Sequence, residues 1–312
     1  MHEQAILSAK DFQSPQAADW CASCGDFGIL KAIQQALAAL GQPPEQVAVF
    51  GGIGCSGKTP YYLGSNGIHT LHGRVLPFAL GAKLANPALT VLAVGGDGDA
   101  LSIGGAHYIN AARRNIDITY ILYNNGVYGL TKGQAAPTLP QGERLHTMAL
   151  PSDQAALNPL LLALASGYSF IARGYAYEGK SLAKLIERAI RHPGTAIVEV
   201  LQPCPTYNRL QTREWYAEKD PATGQGRLYS LEEQGYQGRI DADDKDTRAQ
   251  TIRAGCFAKL DEWGSRIPLG VFLEDLSRPA YVERGEGNVA IADQQGHALA
   301  KMDDIFNTLL LR

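Results

Sequence analysis

The sequence is poor in features that would send it to nucleic acid, a membrane or an oxidising compartment. No stripe of lysine and arginine stands out: 28 basic residues face 31 acidic ones, for a net charge of -3. That balance argues against nucleic acid as the main partner. No apolar run is long enough to span a bilayer, which needs about 20 residues. The best candidate, "ALNPLLLALASGY", is cut by Asn158-Pro159. The opening "MHEQAILSAKDFQ" lacks the basic-then-apolar plan of a secretory leader, so a cytoplasmic location is expected. There is no internal repeat. Cysteine is scarce and odd in number: Cys21, Cys24, Cys55, Cys204 and Cys256. Five thiols in a chain this long suit metal or redox use better than a disulfide framework.

What is present is a 312-residue chain with 45% hydrophobic residues, enough to bury a sizeable core. In 29–40, Ile29, Leu30, Ile33, Leu37 and Leu40 share one helical face, and Gly41 follows as a stop. Strands are predicted at 47–50, 90–96, 117–125, 169–175 and 195–203. Helices are predicted at 74–85, 102–114 and 181–192. Continuous apolar strands separated by helices predict a doubly wound, mostly parallel α/β sheet covered on both faces. Ligands bind such sheets at the carboxyl ends of the strands. The unusual loops fall there, at 51–59, 96–99 and 124–130 and around Cys204. Beyond residue 206 the pattern turns polar and turn-rich. The expectation is a core over 1–206 and an irregular C-terminal extension over 207–312, packed on the core or on a partner.

"GGIGCSGKT" follows the first strand and fits G-x-x-x-x-G-K-[ST] from Gly52 to Thr59. A nucleotide-hydrolase loop must open a helix, whose amide donors hold the phosphates. Here Gly64 and Asn66-Gly67 would stop a helix after about one turn, which lowers the hydrolase reading. A second pattern competes. Gly96-Asp97-Gly98-Asp99 ends one strand and Asn124-Asn125 the next, a pairing that resembles the binding signature of thiamine-diphosphate enzymes. Asp97 would give Mg²⁺ a carboxylate, Asn125 a neutral carbonyl oxygen and Val127 its backbone carbonyl, with diphosphate and water completing an octahedron. Gly96 and Gly98 would let the backbone approach the diphosphate. Either motif alone is more often an ordinary turn; the two in order, at neighbouring strand ends, are not.

Cys21-Ala22-Ser23-Cys24 is open to three readings. A redox dithiol normally follows a strand, and none precedes Cys21. A zinc site normally brings a second close pair, which is missing. Four thiolates gathered from Cys21, Cys24, Cys55 and Cys204 would suit a [4Fe–4S] cluster. Against that stands the ordinary fate of free cysteine, a small buried hydrophobe.

The segments "WCASCGDFG", "GIGCSGK", "HTLHGR", "GGDGD", "NNGVYGLTKGQ", "AAPT" and "LQPCPTYN" occur in the order seen in β subunits of 2-oxoacid:ferredoxin oxidoreductases, which the chain resembles over about residues 15–210. Ala22-Ser23 stands where Pro and a small residue are usual, with both thiols kept. The resemblance implies that Cys21, Cys24, Cys55 and Cys204 ligate one [4Fe–4S] cluster, and that Asp97, Asn125 and the Val127 carbonyl hold Mg²⁺. It implies that Ile53, Gly54, Cys55, Ser56, Gly96, Gly98, Asp99, Gly129, Leu130 and Thr131 line the thiamine diphosphate, with His72 near its reactive carbon. Cys256 has no match and is expected to be structural. The implied reaction is decarboxylation of a 2-oxoacid, with electrons passing singly through the cluster to ferredoxin and the acyl group to coenzyme A, or the reverse with CO₂ fixation. No glutamate is well placed to activate the aminopyrimidine ring. In this family it comes from an α or fused γα subunit, so an obligate partner in an αβ or (αβ)₂ assembly is expected. Lys58, Arg74 and Lys132 are candidates for a second substrate carboxylate, and 2-oxoglutarate is favoured over pyruvate. A cluster-free thiamine decarboxylase, a phosphate-loop NTPase and a zinc-binding interaction subunit are the competing readings.

Overall fold

The computed structural model describes residues 7–281. After a short 3-10 turn, Ala9–Phe12, the chain runs through α1 (Gly25–Leu40), β1 (Val47–Gly51), β2 (Asn66–His69), α2 (Val75–Ala85), β3 (Thr90–Gly96), α3 (Gly105–Arg114) and β4 (Ile118–Asn124). The β-ribbon β5 (Val127–Tyr128) and β6 (Gln134–Ala135) follows. Next come α4 (Pro159–Ser166), β7 (Phe170–Tyr175), α5 (Gly179–Arg191) and β8 (Thr195–Leu201). The predicted strands and helices of the first two-thirds match these within a few residues. The exception is 102–114, where a π-helical turn, Asp99–Ile103, precedes α3.

The main sheet has the order β10-β11-β7-β8-β4-β3-β1-β2, once the three strands past residue 206 are added: β9 (Leu228–Ser230), β10 (Arg239–Ile240) and β11 (Ile267–Asp275). All pairings from β7 to β2 are parallel. β11 runs antiparallel to β7 and carries β9 and β10 parallel to itself. The segment read as irregular thus contains α6 (Arg213–Ala217), α7 (Asp246–Leu260) and three strands that extend the sheet. Residues 282–312 of that expected extension lie outside the described residues.

Side chains alternate between two covered faces, as a doubly wound sheet requires. Val47 and Val49 of β1 pack with Ile29, Ile33 and Leu37 of α1 and with α5. Ala48 and Phe50 pack with Leu76 and Leu80 of α2, and that second layer continues through α3, α4 and α7. Cys256 lies fully buried in the second layer. Gly41, at φ 71°, stops α1 in the left-handed conformation expected of a C-terminal glycine. Among the described residues no helix is long and apolar enough to cross a membrane.

Two buried polar groups mark where the sheet is most constrained. Arg173 on β7 pairs with Glu199 on β8 at 2.6 Å, both side chains almost wholly buried. The guanidinium lies over the rings of Trp263 and Phe272. Removing one partner would strand the other charge, at about 3–5 kcal/mol. His192, at the end of α5, bonds Ser169 Oγ through Nε2 at 2.8 Å, and its Nδ1 has no partner among the described residues. Burial holds its pKa down to about 4. The unfolded chain therefore binds a proton that the folded chain refuses between about pH 6.5 and 4, and stability rises with pH across that window. We expect the cofactor-free chain to lose on the order of 2–3 kcal/mol from this group as pH falls from 6.5 to 4. Thermal melts against pH for the native chain and His192→Gln check it; parallel curves would refute the assignment.

Candidate active site at four adjacent strand ends

In sheet order, β8, β4, β3 and β1 are consecutive neighbours, and their carboxyl ends carry the residues singled out above. β1 leads to Gly52-Ile53-Gly54-Cys55, β3 ends at Gly96 before Asp97, β4 ends at Asn124 before Asn125, and β8 leads through Gln202 to Cys204. The loop after β1 enters a 3-10 turn, Ser56–Tyr62, and then an extended residue. Lys58 and Thr59 therefore open no α-helix. The Thr59 hydroxyl is buried against Tyr123 Oη at 2.9 Å, and Lys58 Nζ is bound by both oxygens of Asp19 at 3.0 and 2.9 Å. A phosphate-loop hydrolase needs a helix N-terminus here to hold phosphate, and the 3-10 turn followed by extended chain argues against that reading.

Asp99 organises the rim. Its Oδ1 accepts the Ile53 N–H at 3.0 Å, the Gly73 N–H at 2.8 Å and His72 Nδ1 at 2.7 Å. A carboxylate only accepts, so Nδ1 carries a proton, and Nε2 is the ring nitrogen that Asp99 does not engage. The His72 ring stands edge-on to Tyr128. Glycine is required where these loops touch. A Cβ on Gly52 would lie 2.2 Å from Asp99 Oδ2, and one on Gly98 2.3 Å from the Tyr128 ring. Gly54, at φ 128°, faces open space. A Cβ on Gly96 would lie 3.4 Å from the Oγ of the buried Ser56.

Asp97 is buried and accepts from the Gly126 N–H at 2.9 Å and from the Thr138 hydroxyl. Among the described residues it has no cationic partner, and burial raises its pKa to about 6. A buried carboxylate short of positive charge, with open space at Gly54 in the loop after β1, fits Mg²⁺ and diphosphate. Asn125 turns its amide nitrogen to Gln202 Oε1 at 2.7 Å and its oxygen to the Val127 N–H at 3.0 Å. Its backbone carbonyl accepts from Asn208 Nδ2 at 2.7 Å. Among the described residues, no three His, Cys, Asp or Glu side chains converge as a ready-made single-ion site. Mg²⁺ commonly takes only one or two carboxylates and fills the rest with phosphate and water.

The cysteines approach the same rim. Cys24 caps α1, tied to the strand ends by the Gly25 N–H donating to Pro203 O at 3.2 Å. Cys21 lies one turn earlier, its carbonyl accepting the Cys24 N–H at 3.1 Å. A Cβ on Gly129 would lie 3.5 Å from Cys55 Sγ and 3.8 Å from Cys204 Sγ. The thiols of Cys24, Cys55 and Cys204 lie within electrostatic reach of one another, and Cys21 of Cys55. All are free. Burial, then Asp26, pushes Cys55 up to about 12 and Cys24 well above the usual thiol range. Trp20 closes one side, its Nε1 donating to Cys55 O at 2.8 Å. Four free thiols on three chain segments, of which burial raises those of Cys24, Cys55 and Cys204, fit a four-iron cluster, since each thiolate would serve its own iron and binding would drive the protons off.

Other expected site residues stand further back. The side chains of Leu130, Thr131 and Lys132 are exposed, and the Thr131 hydroxyl bonds Gln134 Oε1 at 2.5 Å. Lys132 occupies a left-handed backbone position at φ 76° and forms no ion pair among the described residues. Arg74 donates to the carbonyls of Ile103 and Gly73 at 3.0 and 3.2 Å. Sequence reasoning missed Asp19, Thr138, Gln202 and Asn208. It also missed Asp26, a buried carboxyl beside Cys24 whose pKa burial raises to about 7. Asp26, Gln202 and Asn208 sit inside the quoted cysteine motifs and Thr138 closes the quoted "AAPT"; Asp19 carries no local signal.

Comparison with known proteins agrees with this architecture. The family model "Thiamine pyrophosphate enzyme, C-terminal TPP binding domain" matches residues 52–200, and the model for the C-terminal part of the pyruvate ferredoxin oxidoreductase β subunit matches 204–288. The β subunit of 2-oxoacid:ferredoxin oxidoreductase 2 of Aeropyrum pernix is 48% identical over 277 residues, covering 88% of this chain and 86% of that one. The KorB subunit of 2-oxoglutarate oxidoreductase of Mycobacterium tuberculosis is 45% identical over 199 residues, 64% of this chain and 53% of the relative. A solved 2-oxoglutarate:ferredoxin oxidoreductase from Magnetococcus marinus, with 2-oxoglutarate, coenzyme A and succinyl-CoA bound, superposes with a TM-score of 0.79 at 34% identity, covering 96% and 98% of the two chains. With nearly half its residues identical over most of both lengths, the chain belongs to the family of 2-oxoacid:ferredoxin oxidoreductase β subunits.

Proposed function

We propose that the chain, with a partner α or fused γα subunit, carries out coenzyme A-dependent oxidative decarboxylation of 2-oxoglutarate, or the reverse CO₂ fixation, and passes electrons through a [4Fe–4S] cluster to ferredoxin. One observation carries this reading: two donor sets suited to different cofactors share one rim of strand ends. Cys55 belongs to both, as a thiol facing Cys204 across Gly129 and as a member of the glycine loop after β1. Thiamine diphosphate, when bound, supplies an electron sink for the carbon that loses CO₂.

The chain's own residues have separable tasks. Asp97, Asn125 and the Val127 carbonyl hold Mg²⁺ and so fix the diphosphate. Ile53, Gly54, Ser56, Gly96 and Gly98 give the cofactor close backbone approach, and Gly129, Leu130 and Thr131 border it. His72, oriented by Asp99, presents Nε2 to take or give a proton. Cys21, Cys24, Cys55 and Cys204 hold the cluster beside the reacting centre. Lys58, exchanging Asp19 for the substrate, meets the second carboxylate of 2-oxoglutarate. The acid that activates the aminopyrimidine comes from the partner. A broader 2-oxoacid preference is the second reading. It is favoured because the relatives at 48% identity are named for 2-oxoacids in general, and because Asp19 already neutralises Lys58.

Anaerobic co-expression with the α subunit should give about four irons per chain, lost in Cys55→Ser and Cys204→Ser and kept in Cys256→Ala; an iron-free native complex would sink the cluster. In a coenzyme A-dependent assay with ferredoxin as acceptor, Lys58→Ala should raise KM for 2-oxoglutarate about tenfold or more, the scale of a lost charge-assisted contact, and leave KM for pyruvate within about twofold. An equal rise for both substrates would discard the Lys58 role.

A further inference from the structure

We propose that Gln202 is a positioning residue that joins the two cofactor sites through a single amide and sets the reduction potential of the cluster by donating to the sulfur of Cys24. This rests on the reading above, in which Cys24 ligates the cluster and Asn125 the Mg²⁺.

Gln202 is the first residue past β8 and is only 2% exposed. Its Nε2 donates to Cys24 Sγ at 3.3 Å and to Pro203 O at 2.9 Å. Its Oε1 accepts from Asn125 Nδ2 at 2.7 Å. Chemistry fixes the direction of the chain of bonds. The Pro203 carbonyl can only accept, so the amide nitrogen of Gln202 must face it, with Cys24 on the same side. The oxygen then faces Asn125, which must answer with its own nitrogen. Asn125 Oδ1 is thereby turned to the Val127 N–H and keeps a second lone pair. The acceptor a hard cation needs is thus selected two side chains away from the cluster.

The amide has no room to turn. A Cβ on Gly25 would lie 2.9 Å from Gln202 Cγ and 3.2 Å from Nε2, so the first turn of α1 presses directly on it. The backbone is held as well, with the Gln202 N–H donating to Asn124 O at 2.9 Å. An N–H aimed at a thiolate stabilises the more negative, reduced cluster, and hydrogen bonds to sulfur are among the main determinants of cluster potential. Glutamine is neutral at every working pH, so the contribution does not titrate away.

The test uses the anaerobically assembled holoenzyme with Gln202→Leu and Gln202→Glu. Iron content, an EPR-monitored redox titration and calorimetric thiamine diphosphate affinity in the presence of Mg²⁺ are read for each. In Gln202→Leu the reduced-to-oxidised ratio at the native midpoint should fall about three- to tenfold, a midpoint more negative by up to about 59 mV. Cofactor affinity should fall at least about tenfold, as for other residues that orient metal ligands. Gln202→Glu keeps an acceptor for Asn125 but, ionised, no donor for Cys24. It should lower the midpoint while holding affinity near the native value, and it carries the measurement if the leucine variant does not assemble. Native midpoint and native affinity in iron-replete variants would overturn the proposal. A native complex that holds no iron would instead sink the reading on which it rests.

Discussion

Strand spacing is the constraint on which the site depends. Hydrogen-bonded neighbours sit about 4.8 Å apart, so the carboxyl ends of β8, β4, β3 and β1 fall within about 15 Å. Four loops that leave so small a patch cannot all carry bulky side chains. The consequence is visible at Gly52, Gly96, Gly98 and Gly129, where another loop occupies or borders the space a Cβ would take. The crowding gathers carboxylate, amide and thiol donors from positions up to 183 residues apart in the chain, Cys21 to Cys204.

A second consequence is that few side chains in the rim act alone. The Asp99 carboxylate ties the loop after β1 to the loop before α2 and orients His72 in the same act. The α1 cap, the β4 end and the β8 end meet through Gln202. Such polar clusters are specific because each buried donor and acceptor must be satisfied. Of the buried polar atoms left without a partner among the described residues, Oδ2 of Asp99 is found in the rim itself.

Much of this was legible in the sequence because burial on both faces writes strands as uninterrupted apolar runs, and because GDG, NN and the cysteine motifs sit directly after them. What was illegible has physical reasons. The start of the helix expected at 102–114 is a π turn, a departure that leaves the apolar period nearly intact. β9 and β10 have three and two residues, too few to show a period of two. Lys58 matched a phosphate lysine in its loop, but its partner Asp19 is 39 residues earlier, and no local pattern reports a contact that remote. Gln202 stood within a quoted motif, yet its importance lies in which atoms it faces.

The position of β11 has a bearing on how the chain is made. β7 needs β11 as its second neighbour, and β11 is synthesised about ninety residues later. Until residue 275 has been delivered, β7 is an open edge strand with Phe170, Ile171 and Ala172 along it, a template for unwanted pairing with other chains. Arg173 in that strand is an inward charge of the sort that discourages such pairing. It becomes acceptable in the core only once Trp263 and Phe272 arrive to cover it. The late C-terminal segment would therefore serve the nascent chain as the release of a safeguard against aggregation.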